Sequence, residues 1–199
     1  MKSGFTAIIG RPNVGKSTLL NQILEQKIVI ATNKAQTTRK RIKGIYTTDE
    51  MQIVFVDTPG IHKPLNKLGE FLLDEAKVAV PDADVVLFLV DVSTPAGKGD
   101  KWIVDNVLSA LNVPVVMVFN KTDNASPKTL DENILSYKTL YPKAVDTIRI
   151  SAKTGKNKQK LVDIIKKYLP EGEMLYPEDV VTEENMRSVA EEIIREKVL

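Results

Sequence analysis

The residues best suited to do chemistry lie near the start of the chain, in the stretch from Gly10 to Ser17. It reads Gly-Arg-Pro-Asn-Val-Gly-Lys-Ser and fits the pattern Gly-x4-Gly-Lys-Ser/Thr. In this pattern the glycines let successive backbone N–H groups point at one anion, and the start of the next helix adds the positive end of its dipole. We expect Lys16 to reach the β- and γ-phosphates of a nucleotide and the Ser17 hydroxyl to bind Mg²⁺.

The flanks of this stretch support a phosphate loop. The apolar run from Phe5 to Ile9 predicts a buried strand before it, and residues 18–24 have the apolar spacing of a helix after it. The alternative, a glycine turn with a surface lysine, explains neither flank. The residues predicted to bind nucleotide here are Gly10, Arg11, Pro12, Asn13, Val14, Gly15, Lys16, Ser17 and Thr18.

A second candidate site follows the apolar run Ile53 to Val56, which predicts a strand buried on both faces. A carboxylate at the end of such a strand, in Asp57, is suited to hold Mg²⁺ directly or through water. Gly60 has no Cβ, so its backbone N–H can approach a γ-phosphate. The alternative for Asp57 is a helix or turn cap. The same predicted loop includes Thr58, Pro59 and Ile61.

The segment between the first helix and the next strand, residues 27–43, holds six basic residues and no acidic one. One interpretation is a solvated surface loop. The other is a segment whose Thr38 reaches the metal and the γ-phosphate. Beside a phosphate loop we favour the second, and we predict that Thr38 acts with Lys16 and Gly60 as the catalytic set.

Base recognition is predicted where the apolar run Val113 to Phe119 leads into Asn-Lys-Thr-Asp. The Asp123 carboxylate can accept two hydrogen bonds from guanine, at N1–H and the exocyclic amino group, and adenine offers neither. We expect Asn120 to connect the loops around the base and the stem of Lys121 to cover its face.

A last strand, Asp146 to Ile150, leads into Ser151, Ala152 and Lys153. The Ala152 backbone N–H can donate to guanine O6, whereas it would face the amino group of an adenine. These three residues complete the predicted nucleotide site.

The elements that must position these residues alternate between strand and helix. Every candidate residue lies just past the carboxyl end of a strand, where ligands bind to an open, doubly wound α/β sheet. We predict that fold for residues 1–170, with a mostly parallel sheet, followed by a linker at 171–182 and a helix at 183–199. The helix has an apolar stripe. It either folds back on the α/β body or, as we favour, opens a second, incomplete domain.

Composition limits the remaining possibilities. The 199 residues include no cysteine and one histidine, which excludes disulfides and thiolate or multi-histidine metal sites. No apolar run is long enough to span a membrane, and the first residues lead directly into a strand, so we expect no signal peptide and a cytoplasmic location.

The charge is distributed unevenly along the chain. Residues 1–170 hold 25 Lys and Arg against 17 Asp and Glu, and residues 171–199 hold 3 Lys and Arg against 9 Asp and Glu. A basic body favours an anionic partner.

Taken in order, these motifs resemble a GTPase domain of the translation-factor type. Gly-Arg-Pro-Asn-Val-Gly-Lys-Ser-Thr-Leu-Leu-Asn, Lys-Ala-Gln-Thr-Thr-Arg and Asp-Thr-Pro-Gly-Ile-His are similar to the bacterial Era GTPases. The tail at 193–197 resembles the opening helix of their KH RNA-binding domain. The resemblance implies GTP hydrolysis with Mg²⁺, a role in assembling the small ribosomal subunit through 16S rRNA, and peripheral association with the inner membrane. It also implies K⁺ beside Asn13. We expect a monomer.

Two features depart from the related patterns. The Gly-x-x-Gly loop with which a KH domain clamps RNA is absent from the sequence. Ile61 stands where Ras-like GTPases carry the glutamine that orients the attacking water, and an isoleucine cannot hydrogen-bond water. His62 is a candidate for that task, against the alternative of an idle loop histidine. We therefore predict slow intrinsic hydrolysis.

Two other classes of function fit parts of the sequence. An ATP-using P-loop enzyme such as a small kinase shares the phosphate loop but leaves Asn120, Asp123 and Ala152 without a role. A nucleotide-independent RNA-binding module would depend on the basic segment alone. A third possibility within the favoured class is a different GTPase acting on the ribosome or on tRNA.

Overall fold

The structure, a computed structural model, describes residues 1–26, 42–57 and 82–182. Its sheet has six strands in the order β2-β3-β1-β4-β5-β6. The strands are β1 (Lys2–Ile9), β2 (Ile42–Thr47), β3 (Met51–Asp57), β4 (Val85–Asp91), β5 (Val115–Asn120) and β6 (Asp146–Arg149). The described helices are α1 (Lys16–Leu24), α2 (Lys98–Asn106), α3 (Pro127–Leu140) and α4 (Lys158–Tyr168), with a 3-10 turn at Leu108–Ala110.

The sheet is mostly parallel, as predicted. Strand β1 pairs in parallel with β3 on one side and β4 on the other, and β5 and β6 continue in the same direction. Among the described strands, only β2 runs antiparallel to its neighbour, β3, because a short turn at residues 48–50 joins them. Parallel strands need crossover connections, which here place helices on both faces.

The continuous apolar runs form the centre of the sheet because both of their faces are covered. All residues of β4 except the last are fully buried. One face packs beneath α1 and α4, through side chains such as Leu20, Ile23 and Leu161. The other packs beneath α2 and α3, through side chains such as Ile103 and Tyr137. A mostly parallel sheet covered by helices on both faces is a doubly wound α/β fold.

One predicted helix is shorter than expected. The pattern at 100–111 predicts a single helix, but α2 ends at Asn106 and a 3-10 turn follows. The side chain of Asn106 donates to the Trp102 carbonyl at 2.8 Å, and the Ser109 hydroxyl donates to the Asp105 carbonyl at 2.8 Å. Such side chains compete for carbonyls with the backbone ladder, so the helical pattern tightens and stops.

The residues predicted as a linker, 171–182, run from the start of β1, where Glu171 forms a bridge with Lys2, to the edge strand β2. The Ile45 N–H donates to the Val181 carbonyl at 2.7 Å, on the side of β2 that faces away from β3. The buried side chain of Gln52 accepts from the N–H groups of Leu175 and Tyr176 and donates to the Tyr176 carbonyl. The predicted helix at 183–199 lies outside the described residues.

Candidate phosphate and purine site

The phosphate loop connects β1 to α1, and two of its glycines are required by close approaches. Gly15 precedes the first helical residue with φ 104°, a left-handed conformation that favours glycine. A Cβ there would lie 2.4 Å from Asn120 Nδ2. At Gly10 a Cβ would lie 2.3 Å from the Leu89 carbonyl oxygen of β4. The loop can therefore pack against the ends of β4 and β5 only with glycine at both positions.

Lys16 is the most enclosed charged residue of this loop, with 7% of its surface exposed. Its Nζ donates to the carbonyls of Gly10 and Arg11, at 3.2 and 3.0 Å. The ammonium therefore points back over the concave side of the loop, where an anion bound by the loop amides would meet it. Asn13, at the tip, is exposed and holds a left-handed φ of 64°.

Asn120 joins the phosphate loop to the loop after β6. Its Nδ2 donates to the Val14 carbonyl at 2.8 Å, and its Oδ1 accepts from the Ala152 N–H at 2.8 Å. The residue is 2% exposed, so both hydrogen bonds are shielded from water. The connecting role expected of Asn120 is thus present, and the Ala152 N–H expected to face guanine O6 is already bonded to Asn120.

The loop after β5 is fixed from several sides. The Thr122 hydroxyl and N–H donate to the Ile150 carbonyl at 2.9 and 3.3 Å. Lys121 holds a left-handed φ of 64°, and its Nζ forms an ion pair with Asp91 at 2.6 Å. Asp123 is exposed, and its carboxylate forms no hydrogen bond or ion pair with the residues that the structure describes. As far as the described ranges extend, that carboxylate is available to a ligand.

The loop from Ser151 to Asn157 closes on itself and on α1. Ser151 is buried, and its Oγ accepts from the Thr154 N–H at 3.2 Å. Lys158, the first residue of α4, donates to the Gln22 carbonyl at 3.2 Å and pairs with Glu25 at 2.8 Å. Ala152 is buried and Lys153 exposed. The loop is therefore held against the helix that starts at the phosphate loop.

The structure also shows an ion pair that no sequence pattern indicated. Arg11 Nε donates to Asp100 Oδ1 at 2.8 Å, and Asp100 is fully buried at the start of α2. Burial by itself would lower the pKa of Arg11, but the adjacent Asp100 carboxylate outweighs it and the pKa is raised. Arg11 was predicted to bind nucleotide, but its guanidinium forms an ion pair with Asp100. Its contribution to the phosphate loop therefore comes from its backbone.

Asp91, at the end of β4, is the second residue that sequence reasoning passed over. Its Oδ1 accepts from the Ser93 N–H and hydroxyl, and its backbone carbonyl accepts from the Tyr137 hydroxyl at 2.9 Å. Burial raises the pKa of Asp91, yet the hydrogen bonds from Lys121 and Ser93 more than offset this, and the pKa is lowered. In the sequence, the signal for Asp91 was an acidic residue at the end of an apolar run that predicts a strand.

Part of the predicted site lies outside the described residues. This holds for Thr38, Thr58, Pro59, Gly60, Ile61 and His62. The backbone of Asp57 ends β3, but its side chain is also outside. Pro12, Ser17 and Thr18 are half-buried, and Val14 is buried. Among the described residues, no group of three or more His, Cys, Asp or Glu side chains is placed to hold a metal ion.

A phosphate loop joined through Asn120 to the loop after β6, with the exposed carboxylate of Asp123 on the loop after β5, defines a P-loop nucleotide-binding domain. A family model described as "50S ribosome-binding GTPase" matches residues 5–121. The GTPase Era of Clostridium botulinum (strain Alaska E43 / Type E3) is 48% identical over 198 residues. The GTPase Era of Clostridium tetani (strain Massachusetts / E88) is 46% identical. The chain belongs to this family of GTPases and, within it, to the Era GTPases.

The matches cover all of this chain but only part of its relatives. It spans 66% of the Clostridium botulinum protein and 67% of the Clostridium tetani protein. A crystal structure of Era in complex with MgGDPNP and nucleotides 1506–1542 of 16S ribosomal RNA superposes with a TM-score of 0.94 at 44% identity. That alignment covers 99% of this chain and 67% of the other.

A further Era structure, from Aquifex aeolicus and bound to GDP and AlF₄⁻, has a TM-score of 0.92 at 44% identity, over 99% of this chain and 67% of that one. The elongation factor SelB of Methanococcus maripaludis, at 22% identity and a TM-score of 0.67 over 90% of this chain and 36% of its own, shares the fold. In the part of the chain that the structure describes, the helices are too short or too polar to cross a membrane.

Proposed function

We propose that this chain binds guanine nucleotides and hydrolyses GTP to GDP and phosphate, as a slow molecular switch. The observation that carries the proposal is the pair of hydrogen bonds made by Asn120, to Val14 at 2.8 Å and from Ala152 at 2.8 Å. They place a loop suited to phosphate beside two loops suited to a purine. Relatives named as GTPases support the same conclusion.

In this proposal the phosphate loop holds the triphosphate. The backbone N–H groups of the loop and the Lys16 ammonium neutralise charge that develops on the transferred phosphoryl group. Mg²⁺, when bound, supplies further neutralisation, and Ser17, Thr38 and Asp57 are the residues we assign to it. The Era structure with MgGDPNP supports the choice of metal and nucleotide.

Selectivity for guanine is assigned to Asp123. Its exposed carboxylate has no partner among the described residues and follows directly on the loop that Asn120 anchors. Adenine would leave this carboxylate desolvated and unpaired. The Ala152 N–H, bonded to Asn120 Oδ1, would have to share its hydrogen with guanine O6.

The residue at position 61 sets our expectation for the rate. Ile61 cannot orient water, and an arginine finger is not evident in the sequence, so intrinsic turnover is weak. Thr38 and Gly60 close over the γ-phosphate and release after hydrolysis. His62 is our candidate for positioning water. Because intrinsic turnover is weak, we expect a partner to stimulate GTP hydrolysis.

For the whole protein, of which this chain spans about two thirds by comparison with its relatives, we propose a role in small-subunit assembly through 16S rRNA. The Era complex with a 16S rRNA fragment supports it. Residues 1–170 would be the GTPase domain, 171–182 the linker and 183–199 the first helix of a KH domain. We propose a cytoplasmic monomer that associates peripherally with the inner membrane.

The first test is nucleotide selectivity. GTP and GDP, but not ATP, should displace fluorescent GDP from the protein. Asp123→Asn should weaken GDP binding by about 100-fold or more and favour xanthosine diphosphate, because an amide N–H can donate to the 2-oxo group. Asp131→Asn, at an exposed surface pair with Arg149, is the matched control. Unchanged GDP selectivity in Asp123→Asn, or displacement by ATP, would contradict the proposal.

The second test concerns the monovalent cation. Single-turnover GTP hydrolysis should be faster in K⁺ than in Na⁺ at equal ionic strength, and Asn13→Ala should remove the difference. Equal rates in the two salts would eliminate the cation from the proposal. A rate in the unassisted protein as high as that of a GTPase with its activator would contradict the assignment of slow turnover.

The third test concerns RNA. A chain extended past Leu199 should retain fragments of 16S rRNA on a filter more strongly with a GTP analogue than with GDP. Binding by residues 1–199 that is independent of nucleotide would favour an RNA-binding module instead.

A further inference from the structure

The ion pair between Asp91 and Lys121 spans the carboxyl ends of two neighbouring strands. Asp91 ends β4 and pairs in register with Asn120, the last residue of β5, so Lys121 begins the loop directly beside it. Lys121 Nζ lies 2.6 Å from Asp91 Oδ2, with 29% of the lysine side chain and 18% of the aspartate side chain exposed. The pair is thus partly shielded from solvent, at the start of the loop that we assign to the purine.

Both ends of the Lys121 side chain are fixed. Its backbone holds φ 64°, a conformation that non-glycine residues adopt only where the surroundings impose it. The surroundings are the Val92 N–H, which donates to the Asn120 carbonyl at 3.1 Å, and Thr122, which donates to the Ile150 carbonyl. At the other end the ammonium is held by Asp91.

Asp91 is itself held rigidly enough to orient a neighbour. Its Oδ1 is occupied by the N–H and hydroxyl of Ser93, which leaves Oδ2 for Lys121. Its backbone carbonyl accepts from the hydroxyl of Tyr137, a fully buried residue of α3. Three hydrogen bonds therefore hold Asp91 in place, and its Oδ2 holds the end of the long lysine side chain.

We propose that Asp91 is a positioning residue for guanine binding, which holds the Lys121 ammonium so that the methylene stem of Lys121 forms a flat apolar surface against the base. A lysine stem can cover an aromatic ring while its charged head remains solvated or paired. If the stem is ordered before the ligand binds, binding does not have to include the loss of side-chain conformational entropy. The inference rests on the proposed function and adds a residue to it.

The test is a double-mutant cycle on GDP affinity. Asp91→Asn keeps an acceptor for Ser93 but removes the negative charge that holds Lys121. Lys121→Met keeps an apolar stem without the ammonium. Each single variant should weaken GDP binding about fivefold, which corresponds to ~1 kcal/mol, and the double variant should lose no more than either single one.

A second measurement separates positioning from loss of structure. Inorganic pyrophosphate competes for the phosphate loop but has no base, so Asp91→Asn should leave its affinity unchanged while that for GDP falls. Asp131→Asn should change neither. Equal losses for GDP and pyrophosphate, additive losses in the double variant, or no loss in Asp91→Asn would each overturn the inference. Failure of the wild-type protein to prefer GDP over ADP would instead overturn the proposed function.

Discussion

At the scale of single residues, the site depends on polar side chains whose partners are distant in sequence. Asn120 holds two loops together, Asp91 holds Lys121, and Asp100 holds Arg11. Asp100 also accepts from the Gly97 N–H at 2.9 Å, so one buried carboxylate caps α2 and anchors the phosphate loop. The second role exists only because α2 packs beside that loop.

The contribution of Asp100 can be measured directly. Asp100→Ala should lower the free energy of unfolding by ~2 kcal/mol, because it leaves Arg11 and the Gly97 N–H without their partner. Asp105→Ala is the matched control on the same helix, since its ion pair with Lys101 is exposed, and it should cost less than ~0.5 kcal/mol. Urea unfolding monitored by circular dichroism checks both. Equal losses would show that the buried pair carries no special weight.

At the scale of elements, the predicted linker behaves as a cover for the sheet edge. Its end pairs with β2 through the Ile45 N–H and the bridge between Gly44 and Thr182. Unpaired strand edges are prone to aggregation, and this contact blunts one of them. The amide of Gln52 sets the position of the segment, since it satisfies three backbone groups of Leu175 and Tyr176.

Removing that amide should loosen the segment. Gln52→Ala should lower the free energy of unfolding by ~2 kcal/mol and make residues 171–182 more rapidly cleaved by a nonspecific protease, because buried hydrogen bonds are lost. Gln159→Ala, on the exposed face of α4, is the control and should change neither. Limited proteolysis followed by mass spectrometry locates the cuts. Wild-type cleavage rates in Gln52→Ala would refute this role.

At the scale of the whole molecule, the site forms where the strand order reverses. Strand β1 lies between β3 and β4. Loops that follow strands on both sides of β1 therefore lie near the phosphate loop. The two cores on opposite faces of the sheet support the strands that end at this edge. Tyr137, from the core beneath α3, reaches the edge at the Asp91 carbonyl.

Global stability should therefore respond to alkaline pH through Tyr137. Burial, with the nearby Asp100 carboxylate, raises the pKa of its hydroxyl to about 12, so the folded state favours the neutral form. That stabilisation is complete below the ordinary tyrosine pKa near 10 and is lost as the pH rises toward 12. Between pH 9 and 11 the wild-type protein should lose ~1 kcal/mol more than Tyr137→Phe.

Urea unfolding at each pH measures this difference. Tyr168→Phe is the control, since its hydroxyl donates to the Val145 carbonyl at an exposed position. It should follow the wild-type slope. Parallel slopes for wild type and Tyr137→Phe would contradict the prediction.

Local signals in the sequence were sufficient to predict the fold class and the motifs. The glycines and lysine of residues 10–17 and the apolar strands that precede each motif are local signals, because backbone conformation and burial of a strand depend on neighbouring residues. Because the carboxyl ends of parallel strands lie at one edge of the sheet, the position of Asn120 near the phosphate loop could also be predicted. The early end of α2 was missed because two side chains, at Asn106 and Ser109, compete for its carbonyls.

The pairing of charges could not be predicted in this way, because it depends on how distant parts of the chain pack together. Arg11 and Asp100 are 89 residues apart, and Gln52 lies 124 residues from Tyr176. No periodicity connects such pairs, since they meet through the packing of helices and the course of a loop over the sheet. The polar partners of a buried group depend on what that packing leaves within hydrogen-bonding distance, and a linear pattern does not contain this information.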